Sequence, residues 1–257
     1  MPDGSVVAVL PHSFDLSQLN NAVTASLRVL RPLAILLYGA PGSGKGTFGK
    51  LLSQATNWPH ISTGDLLRRH ITARTEIGQA SVAILEGNFA SDQIANQLVA
   101  DRIQAEDCQN SFILDGYPRT LPQSTVFLPV LRRLSIEPVV VRLQLDYEAT
   151  KSRLRNRISC TACGAIFNIV FLPPKQPGRC DECGIPLVTR TDDQVDLIER
   201  RIEFYDKLTA PVELNLIENK LRCWEFDAAL DPKQLFSQFT NYLVAASLVI
   251  QQNPSAQ

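Results

Sequence analysis

The sequence contains no apolar run of roughly 18 residues, the length that a membrane-spanning helix needs. It has almost no net charge: 25 Lys and Arg stand against 26 Asp and Glu, leaving −1. That balance argues against a protein that coats nucleic acid non-specifically. Six cysteines in 257 residues are too sparse for a disulfide-built scaffold. Internal repeats and low-complexity tracts are absent. Asp3 stands where a signal peptide would be positive, and the nearby apolar run is only Val6 to Leu10, so no secretory signal is expected. Lysine is scarce too. Only 7 of the 25 basic residues are Lys, and 18 are Arg, whose rigid fork suits phosphate oxygens. What is there, 45% apolar and 20% charged residues, describes a globular chain able to bury a sizeable core in one large domain or two small ones.

Residues 1–32 carry no recognisable chemistry; their pattern allows a short strand over Val6–Leu10 and a short helix over Leu16–Leu30. Leu33–Tyr38, LAILLY, is an apolar run of strand length that ends at a glycine-rich turn, and a helix is expected from Lys45. Ser62-Thr63-Gly64-Asp65 opens another helix, with Thr63 or Asp65 as its cap. Residues 76–106 read as helices broken at Glu86-Gly87-Asn88. Ser111–Leu114, Pro138–Leu145 and Cys223–Phe226 read as further buried strands. Strands alternating with helices predict an α/β fold, a central parallel sheet with helices on both faces. Residues 158–189, rich in Cys, Pro and Gly, interrupt this rhythm as a small inserted lobe. No charge occurs from Gln234 to Gln257, where Leu235, Phe236, Phe239, Tyr242, Leu243 and Ala246 recur at helical spacing. This predicts a helix docked on the sheet and then a frayed tail. A membrane-surface or partner-binding helix would carry a basic face that is missing here.

Gly39-Ala40-Pro41-Gly42-Ser43-Gly44-Lys45-Gly46-Thr47 matches G-x-x-x-x-G-K-[ST], between an expected strand and an expected helix. The physical logic is direct. Glycines let backbone N–H groups of Gly42, Ser43, Gly44 and Gly46 point at phosphate oxygens, and the helix N-terminus adds partial positive charge. Lys45 supplies a point charge at the β- and γ-phosphates, and Thr47 can reach magnesium. This loop alone does not separate an ATPase, a GTPase and a kinase; the acceptor does.

Three segments speak to the acceptor. They are Ser62-Thr63-Gly64-Asp65-Leu66-Leu67-Arg68; Leu114-Asp115-Gly116-Tyr117-Pro118-Arg119 with Gln123 beyond; and Thr189-Arg190-Thr191-Asp192-Asp193 with Arg201 downstream. In this order, over roughly residues 33–232, the chain resembles the adenylate kinases, nucleoside monophosphate kinases that convert MgATP and AMP to two ADP. The resemblance implies a P-loop kinase core, a helical acceptor-binding insertion at 62–91 and a small lid at 156–193. It implies that Arg68 and Arg119 grip the AMP phosphate with bidentate forks. Gln123 would hydrogen-bond the adenine of AMP, with Thr63, Gly116 and the segment Asn88, Phe89, Ala90 beside it. Asp115, ending a strand, would orient magnesium waters. Taken singly, Arg68 could merely pair with an acid on its helix, and Asp115 could be a turn residue.

Arg153 and Arg157 stand four apart and share one face if the segment is helical. The resemblance implies that Arg153 stacks on the adenine of ATP, near Phe167, and that Arg157 reaches the transferring phosphates. With Lys45, Arg119, Arg190 and Arg201, Arg157 would neutralise transition-state charge on lid closure, which also expels water. Between them lie Cys160-Thr161-Ala162-Cys163 and, after sixteen residues, Cys180-Asp181-Glu182-Cys183. Two such pairs predict a closed, structural tetrahedral zinc site in a lobe too small to hold itself together. Disulfides, disfavoured in a reducing cytoplasm, or a related iron-bound or empty form are the alternatives. Cys108 and Cys223 read as buried apolar residues. A zinc-ribbon nucleic-acid site is disfavoured: before Arg190 the segment offers only Lys175 and Arg179, beside Asp181 and Glu182. The chain departs from the family at Asn168, often His or Tyr, and at Leu172, often Asn.

The expectation is thus a monomeric, cytoplasmic adenylate kinase using magnesium with ATP and a structural zinc, with ATP, AMP and ADP as partners and no nucleic acid. Residues 1–32 and 233–257 flank the kinase domain without an assigned role. The competing readings are a UMP/CMP kinase, disfavoured by Thr63 where those kinases usually carry Ala, and an ATP-binding regulatory protein without turnover, disfavoured by the complete arginine set.

Overall fold

The computed structural model describes residues 27–86, 88–246 and 248–251. The strand expected at Val6–Leu10 and most of the helix expected at Leu16–Leu30 lie outside those residues. The chain runs β1 (Leu27–Val29), β2 (Leu33–Tyr38), α1 (Lys45–Thr56), β3 (His60–Ser62), α2 (Thr63–Thr72), α3 (Glu76–Ala80) and α4 (Asp92–Ile103). It continues through β4 (Ser111–Asp115), α5 (Leu121–Arg133), β5 (Glu137–Gln144), α6 (Tyr147–Arg155), β6 (Arg157–Cys160), β7 (Ile166–Asn168) and β8 (Leu187–Val188). It closes with α7 (Val195–Phe204), α8 (Ala210–Glu218), β9 (Arg222–Asp227), α9 (Pro232–Ala245) and β10 (Val249–Gln251).

Five strands form one parallel sheet in the order β3-β4-β2-β5-β9. Side chains alternate across it. Leu33, Ile35 and Leu37 of β2 pack with Phe48 and Leu52 of α1 and with Phe239 and Leu243 of α9. Ala34, Leu36 and Tyr38 face the other side, among Val99 of α4, Phe127 of α5 and Val212 of α8. Helices therefore cover both faces, which is why LAILLY is apolar throughout rather than alternating. The chain leaves β2 toward β3 on one side and reaches β5 on the other. The carboxyl ends of these strands thus open into a crevice at a reversal of strand order, where open α/β sheets bind ligands.

The sequence expectation differs from the fold at several points. Leu27–Val29 is not the end of a helix but a strand, paired antiparallel with Val249–Gln251. Within the tail expected to fray, Val249–Gln251 is thus a strand on the ladder with Leu27–Val29. The cap of α2 is Ser62, whose Oγ accepts the Asp65 N–H at 3.3 Å. Thr63 instead donates to the Gly116 carbonyl at 2.8 Å. Arg153 and Arg157 do not share a helix face. The helix stops at Arg155, Asn156 caps it through Nδ2 to the Ser152 carbonyl at 2.9 Å, and Arg157 begins β6 opposite Asn168. The inserted lobe is a three-stranded antiparallel sheet, β7-β6-β8. Among the described residues, no helix is long and apolar enough to cross a membrane.

Candidate active site

The loop from Gly39 to Gly44 joins β2 to α1. Two glycines meet a steric demand there. A Cβ on Gly39 (φ 134°) would sit 2.3 Å from the Leu143 carbonyl oxygen, and Gly44, which precedes α1, adopts a left-handed φ of 93°. No side chain caps α1, so its N-terminal amides stay available to an anion. Lys45 folds back over the loop, donating to the carbonyls of Gly39 at 2.7 Å and Ala40 at 2.9 Å. Burial pushes its ammonium down to about 8, with the neighbouring charges of Arg119 and Arg201 adding to the effect against Asp115 and Glu213.

One cleft runs from this loop to the inserted lobe. Gly42, Ser43, Gly44, Lys45, Gly46, Thr47, Arg153, Arg157 and Phe167 line its loop and lobe side. Thr63, Arg68, Asn88, Phe89, Ala90, Gly116, Arg119, Gln123, Arg190 and Arg201 line the rest, with Asp115 between. Every nucleotide-site residue expected from the sequence therefore faces one space. Arg119 lies over the Phe89 ring, 4.7 Å from its centroid. Burial alone would raise the Asp115 carboxyl. His60, 3.6 Å away, together with the charges of Lys45 and Arg119, overcomes this and holds it below the usual carboxylate range.

Five arginines converge; three aspartates hold four of them, and Arg119 donates instead to the Gly116 carbonyl at 2.8 Å. Arg157 makes a two-pronged contact with Asp193, which also binds Arg201. Asp192 pairs with Arg201 at 3.2 Å and approaches Arg68 at 4.0 Å. Asp65 pairs with Arg68 at 2.6 Å and lies 3.9 Å from Arg190. Arg68 thus pairs with an acid on its own helix and also faces the cleft. Burial and the nearby charges of Arg157 and Arg68 push the Arg190 guanidinium down to about 9; burial, then Arg201 and Arg68 against Asp115, pushes Arg119 down to about 10. Such crowding of positive charge is unfavourable by itself and is relieved by an anion with several oxygens.

At the lobe, two matching turns present the cysteines. Gly164 N–H donates to the Cys160 carbonyl at 3.1 Å, and Gly184 N–H to that of Cys180 at 2.8 Å; both glycines have positive φ. The four sulfurs lie within 4.8 Å of one another, and their nearest pairs are 3.4 Å apart. All four cysteines are free thiols, so the disulfide alternative is not what the fold contains. A tetrahedral ion with Zn–S bonds of about 2.3 Å separates its sulfurs by about 3.8 Å, close to this spacing. Backbone N–H groups of Cys163, then Ala162, favour the Cys160 thiolate. Cys108 is fully buried in the core, and Cys223 packs against the same cluster.

Other cleft residues escaped the sequence reading. Tyr205 and Thr209 bracket a π-helical turn and both reach the cleft, a use that such turns often have. Glu213, wholly buried behind Tyr205, pairs with Arg142 at 3.0 Å. Its only sequence signal, an acid in the first turn of a mostly apolar helix, is shared with ordinary surface positions. Phe167 sits mostly in the lobe's core, and the exposed Phe171 lies 5.9 Å from Arg153. The departure at Asn168 has a structural counterpart: Nδ2 donates to the Arg153 carbonyl and Oδ1 accepts the N–H groups of Val170 and Phe171. It shapes the turn that carries Phe171.

A family model for adenylate kinase matches residues 37–219. An adenylate kinase of Thermosipho africanus is 36% identical over 211 residues, covering 81% of this chain and 98% of the relative. One of Ruminiclostridium cellulolyticum is 40% identical over 182 residues, covering 70% and 85%. One of Clostridium tetani is 36% identical over 213 residues, covering 82% and 98%. With the phosphate loop, the arginine cluster and the lobe in one cleft, these matches establish that the chain belongs to the adenylate kinase family of phosphotransferases.

Proposed function

We propose that this chain transfers the γ-phosphoryl group of MgATP to AMP, reversibly, giving two ADP. The observation that carries this reading is the convergence of Lys45, Arg68, Arg119, Arg157, Arg190 and Arg201 on one cleft, opposite a loop built for a nucleotide polyphosphate. Phosphoryl transfer asks mainly for alignment and charge neutralisation. In this reading the loop amides and Lys45 hold the donor phosphates, and Arg153, with Phe167 nearby, flanks its base. Arg68 and Arg119 hold the acceptor phosphate. Gln123, Thr63, Gly116, Asn88, Phe89 and Ala90 surround the acceptor base. Arg119, Arg157, Arg190 and Arg201 neutralise the moving phosphoryl group.

Asp115 and Thr47 fit magnesium, because Asp115 is held charged at the mouth of β4 beside the loop. Magnesium would neutralise the phosphates between donor and acceptor. Cys160, Cys163, Cys180 and Cys183 fit zinc, whose part is to hold the lobe together. Residues 62–91 act as the acceptor segment, 156–193 as the lid, both within a kinase domain at 33–232. The protein works as a cytoplasmic monomer. The decisive experiment compares AMP, CMP, UMP and GMP as acceptors with MgATP. AMP should give the highest kcat/KM. Preference for UMP or CMP overturns the substrate assignment, and ATP binding without ADP formation overturns the activity.

A further inference from the structure

Gln123 is almost wholly buried yet forms part of the cleft wall. Its amide is held at both ends. Oε1 accepts the Arg119 backbone N–H at 2.7 Å, and Nε2 donates to Asp92 Oδ1 at 2.7 Å. A backbone N–H can only donate and a carboxylate can only accept, so the orientation of this amide is chemically determined. Turned over, it would set oxygen against oxygen and N–H against N–H.

Asp92 is itself held in place. It occupies the first turn of α4, where the helix dipole favours negative charge. It accepts the Thr120 hydroxyl at 3.0 Å, and Thr120 Oγ1 in turn accepts the Gln123 backbone N–H at 3.3 Å as the cap of α5. A second tie, Tyr117 Oη donating to Asn96 Oδ1 at 2.7 Å, fixes α4 against the loop after β4. Asp92, Thr120 and Gln123 form a closed ring of hydrogen bonds.

The locked amide keeps one free acceptor on Oε1 and one free N–H on Nε2. That pair complements the N6 amino donor and N1 acceptor of adenine. Guanine offers the reverse, an O6 acceptor and an N1–H donor, and would meet like groups on both atoms. An unpaired polar group in a dry pocket is a strong means of rejection. We propose that Asp92 is a positioning residue that locks Gln123 in the orientation that selects adenine over guanine on the acceptor nucleotide. This rests on the reading of Gln123 as a contact to the acceptor base.

The test uses the full chain and measures kcat and KM for AMP and GMP, with KM for ATP as a control. Asp92→Ala should lower the AMP-to-GMP ratio of kcat/KM by about tenfold, chiefly through KM for AMP, and leave KM for ATP unchanged. Asp92→Asn keeps an oxygen acceptor toward Gln123 and should restore the ratio to within about threefold of the parent. If the alanine variant does not fold, Asp92→Ser, too short to reach Gln123, replaces it. An unchanged ratio in Asp92→Ala or Asp92→Ser, with Gln123→Ala collapsing it, overturns the positioning role and leaves the base contact standing. If Gln123→Ala alters neither KM for AMP nor the ratio, the reading of the acceptor site itself is wrong.

Discussion

Arg157 and Asp193 form a two-pronged ion pair, Nε to Oδ2 at 2.6 Å and Nη2 to Oδ1 at 2.5 Å. The Asp193 side chain is fully buried and also binds Arg201, so one carboxylate organises two of the cations that face the cleft. Removing one partner of such a pair leaves uncompensated buried charge, typically at a cost of about 3–5 kcal/mol. Asp193→Asn keeps the size and removes the charge. It should lower the melting temperature clearly and reduce kcat by about 10- to 100-fold as the two guanidinium groups lose their common anchor. An unchanged melting temperature would show that Asp193 does not hold them.

Lys45 tests the phosphate loop. Its contacts are to carbonyls of the same loop, within six residues along the chain, so it ties no distant elements together. Lys45→Ala should therefore cut turnover by about a thousandfold or more, while the melting temperature falls little. Parallel losses of activity and thermal stability would assign Lys45 a structural part instead.

The same residue predicts a pH dependence. Burial, more than the neighbouring arginines, takes its ammonium from 10.5 down to about 8. Between these values the unfolded chain binds more protons than the folded one, so this group makes the nucleotide-free protein more stable as pH rises. Polyphosphate binding moves the opposite way, because the charge that attracts it is lost as pH passes about 8. ATP affinity measured by titration calorimetry between about pH 7.5 and 8.5 should fall, and Lys45→Met should flatten that slope. A slope retained in Lys45→Met would place the titrating group elsewhere.

Much of this site was legible because its chemistry is local. Gly39 to Thr47 needs only contiguous residues, and each C-x-x-C pair sits on one turn. Asp115 and Arg119 share one short loop. What escaped was set by distant packing. His60–Ser62 is too short to show a strand period, and Ser62 rather than Thr63 caps α2 because Thr63 is drawn to the Gly116 carbonyl. Arg157 left the helix because Asn156 ends it and β7 offers Asn168 as partner. Asp92 gave no signal, since an acid in a first helical turn has a sufficient local reason to be there.

The apolar face of the C-terminal helix makes a prediction about stability. Phe239 of α9 is wholly buried, with ring contacts to Phe48, Trp224 and Phe226 at centroid distances of 5.4, 5.5 and 6.2 Å. Phe239→Ala removes a large side chain from the face of the sheet that α1 also covers. It should cost about 3–5 kcal/mol in denaturant unfolding. A loss below about 1 kcal/mol would mean that α9 contributes little to the core.

The cysteine cluster predicts a metal-dependent lid. The apolar cluster of its lobe is Cys160, Ala165, Phe167 and Cys180, with Ile158 and Leu187 against them, which is little apolar surface to hold three short strands. Cross-linking by a bound ion supplies what that core lacks. The purified protein should therefore carry about one zinc per chain by elemental analysis. Cys160→Ala should lose the metal and melt at a lower temperature, while the parallel sheet, whose core lies elsewhere, keeps its circular dichroism. Turnover should fall as well, since Arg157 and Arg190 border the same strands. Stripping the metal with a chelator should reproduce the variant's melting curve. If the curve and the metal content of Cys160→Ala both match the parent, Cys160 is not a ligand and the lobe is held by its apolar contacts alone.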